Sequence, residues 1–129
     1  MAEACVVDAS AMVDLLLGTG PAAALHHRFT DADLHVPAHF DAEVLSALGR
    51  LQRGGHLTAR AVGSRLDHLA AAPVTRHTLE SLVVPAWRRR GDLRLTDALY
   101  AALADELDLQ IVTTDAALAA SCRRATLVR

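Results

Sequence analysis

Apolar positions along the chain fall into short groups with two different periods. Ala4-Cys5-Val6-Val7 is an unbroken apolar run with β-branched members, the pattern of a buried strand. Ile111-Val112-Thr113-Thr114 repeats that pattern near the other end, within a strand expected over 110–113. Phe40, Val44, Ala47, Leu48 and Leu51 instead share one helical face, which predicts a helix over 38–53 ended by Gly54-Gly55. Leu99, Leu103 and Leu107 recur every four residues and predict another over 96–107, with Thr96 as its N-cap and Asp97 in its first turn.

The remaining segments complete an alternating series. Helices are expected over 10–17 and from Pro21 to about Phe29, with Pro21 in the first turn. Residues 34–36 read as a strand stopping at Pro37, and Thr58 as the cap of a helix carrying Ala61, Val62, Leu66 and Leu69. Residues 73–75 read as a strand. Residues 78–90 read as a helix capped by Thr78 and kinked or divided at Pro85. A short helix over 115–120 and an edge strand over 125–128 close the chain. This alternation predicts an α/β fold, a central parallel sheet of four to five short strands with helices on both faces.

Composition narrows the chemistry. The 129 residues suffice for one domain, taken as residues 1–129, with a core that needs no disulfide or structural metal. Aromatics are only 3% of the chain, which argues against a platform for stacking bases. The net charge of −2 is not that of a polycation, so any nucleic-acid contact must come from a local basic surface. Every fixed cation is arginine; without lysine, Schiff-base and P-loop chemistry are excluded. Cys5 and Cys122 fit no metal spacing, and Cys5 reads as an inert core thiol. No signal peptide or membrane-length apolar run is seen, so a soluble cytoplasmic protein is expected, with no membrane partner.

Two acids occupy positions that matter in such a fold. Asp8 follows the first strand and Asp115 the second, at the carboxyl edge where open α/β sheets build their sites. Glu43 and Asp97 lie on the helices between. If the sheet gathers all four, each raises the others' pKa values, and a divalent cation is the usual remedy. Each acid also has a plain structural reading: a turn residue at Asp8, a solvated Glu43, a first-turn acid at Asp97, an N-cap at Asp115.

Four segments carry a resemblance. Val6-Val7-Asp8-Ala9-Ser10-Ala11, Glu43-Val44-Leu45-Ser46-Ala47-Leu48, Thr96-Asp97-Ala98-Leu99-Tyr100-Ala101-Ala102-Leu103-Ala104 and Ile111-Val112-Thr113-Thr114-Asp115 resemble the successive motifs of PIN-domain nucleases. Their order and spacing are most similar to bacterial VapC toxins. The resemblance implies a PIN-like domain and a metal-dependent endoribonuclease of a type II toxin–antitoxin pair. Asp8, Glu43, Asp97 and Asp115 match the family's catalytic and metal-binding quartet, with Ser10 and Thr113 as hydroxyls that orient carboxylates or water. The implied cofactor is Mg²⁺, with Mn²⁺ as a substitute, activating water for attack on an RNA phosphodiester. The implied partners are the RNA substrate, a VapB-type antitoxin and a second copy in a homodimer. Operator DNA would be bound by the antitoxin and not by this chain alone. Ser46 departs from the asparagine of many relatives, a change expected to touch helix packing or substrate and not the metal.

Other readings compete with this one. A catalytically silent PIN module is opposed by the complete quartet. A receiver-like Mg²⁺-binding phosphoacceptor lacks its lysine, and a haloacid-dehalogenase-type phosphatase lacks a second aspartate, since Ser10 stands there. A histidine zinc site is disfavoured, because Pro37 separates His35 from His39 and the His26-His27 side chains diverge. Arg88, Arg89 and Arg90, with Arg94, form the densest basic run. They read equally as an RNA-phosphate contact or as a solvated helix end.

Overall fold

The first apolar run forms β1 (Ala4–Val7) and passes through Asp8 directly into α1 (Ala9–Leu17). A computed structural model describes residues 3–129. After α1 come α2 (Ala22–Phe29), β2 (Asp33–Pro37), α3 (Phe40–Arg53), α4 (Ala59–Ala71) and β3 (Val74–His77). The last third holds α5 (Val83–Arg88), α6 (Leu95–Leu107), β4 (Ile111–Thr113), α7 (Ala116–Ser121) and β5 (Ala125–Leu127).

The five strands form one sheet in the order β3-β2-β1-β4-β5, and every neighbouring pair is parallel. β1 is central: Val6 is in register with His35 of β2 and with Ile111 of β4. α1 packs against α2, α3 and α4, and α5 packs against α6; with this strand order, the right-handed rule for parallel crossovers assigns α1 to α4 to one face and α5 to α7 to the other. The chain runs outward from β1 through β2 to β3, then crosses back to β4. The order therefore reverses between β1 and β4, and a crevice opens there at the carboxyl ends of those two strands.

Packing explains why an aromatic-poor chain holds together. α6 lies against β1, β2 and β4. Its buried face includes Ala98, Ala101, Ala102 and Ala104, small side chains that let the helix approach the sheet closely. Larger groups fill the space between layers: Tyr100, Phe40, Leu25, Leu48 and Leu103 are fully buried. Each such apolar side chain contributes about 1.5–3 kcal/mol.

Several boundaries differ from the sequence expectation. Thr58 does cap α4, its Oγ1 accepting from the Ala61 N–H at 3.1 Å. Thr78 caps nothing; residues 79–82 form a bend and turns, and α5 begins only at Val83 with Leu82 as N-cap. Pro85 then sits in the first helical turn, where its missing N–H costs nothing, so it neither kinks nor divides a longer helix. α6 starts two residues earlier than expected, with Arg94 and not Thr96 at its N-cap. α3 starts at Phe40, because residues 38 and 39 form a turn after β2. Among the described residues no helix is long and apolar enough to cross a membrane.

Candidate active site

Asp8 is placed by β1. Its N–H donates to the Val112 carbonyl of β4 at 3.0 Å, which fixes the carboxylate at the crevice between the two central strands. The residue is only 5% exposed. Its Oδ2 accepts from Ser10 Oγ at 2.6 Å and from Thr113 Oγ1 at 2.8 Å. These hydroxyls are themselves fixed: the Asp115 N–H donates to Thr113 Oγ1 at 3.0 Å and the Thr114 N–H to Ser10 Oγ at 3.2 Å. Burial pushes the Asp8 carboxyl above its ordinary pKa; the Ser10 and Thr113 hydrogen bonds oppose this, and the charges of Asp97 and Asp115 add to it. Desolvation thus outweighs the mutual repulsion expected from sequence.

Glu43 lies in the first turn of α3. Its Oε1 accepts from the buried Tyr100 hydroxyl at 2.7 Å and lies 3.3 Å from His39 Nε2. The imidazole is steadied in turn by the Thr96 carbonyl at 3.0 Å and by the Tyr100 ring. Burial raises the Glu43 pKa, the Tyr100 bond and His39 lower it, and the charges of Asp8 and Asp97 raise it again. Asp97, in the first turn of α6, accepts from Arg94 Nε at 3.1 Å through Oδ2. Asp115 is the N-cap of α7; its Oδ1 accepts from the Ala117 and Leu118 N–H groups at 2.9 and 3.3 Å. The N-cap reading of Asp115 is therefore realised, and it leaves Oδ2 to face elsewhere. Arg94 spans both acids, with Nη2 3.9 Å from Asp115 Oδ2.

All four carboxylates line one cavity of about 340 Å³, together with Ser10 and Arg94. Thr113 stands behind it, buried beneath Asp8. Arg88, Arg89 and Arg90 are not among its lining residues. Arg88 is exposed on α5, Arg89 pairs with Asp105, and Arg90 lies over the Trp87 ring at 4.6 Å. Two charged lining residues had no signal in the sequence, Asp14 on α1 and Arg50 on α3.

A family model for the PIN domain matches residues 5–123. The chain belongs to the PIN-domain family. Among relatives it is similar to ribonuclease VapC3 of Mycobacterium tuberculosis, 56% identical over 118 residues that cover 91% of this chain and 86% of that protein. This likeness puts it with the VapC-type members. Among solved structures it is similar to PAE2754 from Pyrobaculum aerophilum, with TM-score 0.69 and 28% identity over 96% of this chain and 82% of that one. A toxin–antitoxin complex from Klebsiella pneumoniae shares the fold, with TM-score 0.69 at 14% identity and 95% of both chains covered.

A PIN domain of this type implies a divalent cation, and the donor set fits one. All four groups are hard carboxylate oxygens, the ligands Mg²⁺ and Mn²⁺ prefer. Each carboxylate has one oxygen held by the protein; among the described residues the other accepts no protein hydrogen bond. As they stand, no three His, Cys, Asp or Glu side chains among the described residues form a closed ligand cluster. The acids ring the cavity, and Arg94 supplies the positive charge between Asp97 and Asp115. The histidines lie apart from any such arrangement. His35 Nδ1 is 2.9 Å from His77 Nε2 on the neighbouring strand, and His39 serves Glu43.

Tyr100 and His39 are the supporting residues that sequence reasoning missed. The signal available for Tyr100 was its spacing. It follows Asp97 by three residues and so shares its helix face, and a hydroxyl on a buried face needs a partner.

Proposed function

We propose that residues 1–129 act as an endoribonuclease that hydrolyses RNA phosphodiesters with Mg²⁺ or Mn²⁺ held by Asp8, Glu43, Asp97 and Asp115. The observation that carries this is the meeting of four carboxylates, from four separate elements, in one cavity at the switch point of the sheet. The likeness to a named ribonuclease supports the choice of RNA. When bound, the cation supplies Lewis acidity, acidifying water and drawing charge from the phosphate. The chain's own part is orientation. Ser10 and Thr113 turn Asp8 so that Oδ1 faces the cavity, and Tyr100 with His39 does the same for Glu43 Oε2. The α7 N–H groups hold Asp115, and Arg94 holds Asp97.

The same reading makes the chain the toxin of a type II pair, working as a homodimer in the cytoplasm and silenced by a VapB-type antitoxin. The exposed apolar side chains Val83, Val84, Trp87 and Leu95, each about half accessible, are in keeping with a protein that does not work alone. Purified chain should cut RNA in Mg²⁺ and stop in EDTA, leaving 5′-phosphate ends. RNA cleavage that persists unchanged in EDTA, or no cleavage of any cellular RNA in Mg²⁺ or Mn²⁺, defeats the proposal.

A further inference from the structure

We propose that Arg50, held by Ser46, receives an RNA phosphate flanking the one that is cut. The inference rests on the ribonuclease reading above and names a contact within it. Its starting point is charge. Five carboxylates line the cavity once Asp14 is added to the quartet, and a polyanion cannot approach them without nearby cations.

Two guanidiniums line that cavity, Arg50 and Arg94. Arg94 is already engaged, by Asp97 at 3.1 Å and by Asp115 at 3.9 Å. Arg50 differs in kind. Its Nη1 donates to Ser46 Oγ at 2.9 Å, a neutral partner that orients the side chain without cancelling its charge. Among the described residues Arg50 joins no ion pair, and four of its five N–H donors remain for a ligand. Ser46 precedes Arg50 by one helical turn, the spacing at which such side chains meet.

Position decides which phosphate is met. The backbone of Arg50 lies seven residues past Glu43 on α3, about 10.5 Å along the helix axis, and the bond to Ser46 draws its guanidinium back to about one turn past Glu43, roughly 5 Å. That offset from the quartet places the guanidinium beside the scissile bond, at a neighbouring phosphate. The contact is therefore equal in ground and transition states, so it acts on KM and spares kcat.

The test uses fluorescein-labelled bulk tRNA, with binding measured in EDTA from about 50 to 200 mM salt and cleavage measured in Mg²⁺. Arg50→Gln should weaken binding about fivefold at the lowest salt and reduce the salt slope by about 0.7–0.9, the loss of one phosphate contact. KM should rise by a similar factor with kcat unchanged. Ser46→Ala should weaken binding about twofold with the slope intact, since the cation remains and only its ordering is lost. Arg60→Gln, at an exposed arginine of α4 outside the cavity, should match wild type. Wild-type affinity and slope in Arg50→Gln, with an active parent, overturn the inference and leave the ribonuclease reading standing. A fall in kcat at unchanged affinity, or an equal loss in Arg60→Gln, also overturns it. A wild-type chain that neither binds nor cuts RNA overturns both readings.

Discussion

Asp8→Asn removes one buried charge while keeping the shape and both hydroxyl contacts of the side chain. Two effects oppose each other. An amide oxygen accepts from Ser10 and Thr113 without charge assistance, a loss of about 1 kcal/mol per bond. Against this stands the penalty of holding a carboxylate nearly out of water beside two other acids, several kcal/mol after relaxation. The raised pKa of Asp8 says that its surroundings favour the uncharged form, so the second effect prevails. In EDTA the variant should gain about 1–2 kcal/mol, a rise in Tm of roughly 3–8 °C for a chain of this size. The gain must depend on pH. A folded pKa above the unfolded one means that the native state binds the proton more tightly. Stability is then full below the unfolded value near 4, and is lost as pH rises through the folded value. Wild type in EDTA should therefore melt lower at neutral pH than in mild acid, and Asp8→Asn should flatten that slope in part, Glu43 supplying the rest. Saturating Mg²⁺ should stabilise wild type far more than the variant, whose RNA cleavage should fall by about 10³-fold or more. Calorimetry across pH, with and without EDTA, reads all of this. A variant that melts lower than wild type in EDTA at neutral pH, or one that keeps full cleavage, refutes the reasoning.

Three further outcomes are expected. Tyr100→Phe removes the donor that fixes Glu43 and should raise the Mg²⁺ concentration for half-maximal cleavage about 10- to 100-fold; an unchanged metal titration would deny it a positioning role. Leu103→Ala empties a fully buried site and should cost about 2–5 kcal/mol, read as a lower urea midpoint at constant slope. Burial pushes the Cys5 thiol up to about 11, and Cys122 is equally enclosed. Neither should react with a chromogenic disulfide at pH 8 until the chain unfolds, and prompt labelling of native protein would contradict the packing around β1.

The sheet was legible because its central strands are buried on both faces and so read as unbroken apolar runs. Asp8 and Asp115 became visible for the same reason, as the first acids after those runs. Glu43 and Asp97 depended on family resemblance, since periodicity alone cannot say which edge of a helix faces a crevice. The basic run at Arg88 to Arg90, the densest in the sequence, does not line the acidic cavity. Three adjacent arginines on a helix end point in three directions, and here they meet solvent, Asp105 and Trp87. Arg50 was illegible for the converse reason, as an isolated arginine on an exposed helix face resembles any solvated one. Thr96 has the right chemistry for an N-cap, yet the helix begins before it at Leu95, and its carbonyl serves His39 instead.

The middle position of β1 has a consequence for synthesis on the ribosome. The strand made first waits for its second neighbour until residues 111–113 have emerged, because β4 comes from the last fifth of the chain. Thr113 and Asp115 arrive with it, so Asp8, which has Ser10 beside it from the start, gains its second hydroxyl donor and its opposing acid only near the end of translation. A nascent fragment released before that point carries Asp8, Glu43 and Asp97 without the strand that closes the crevice around them.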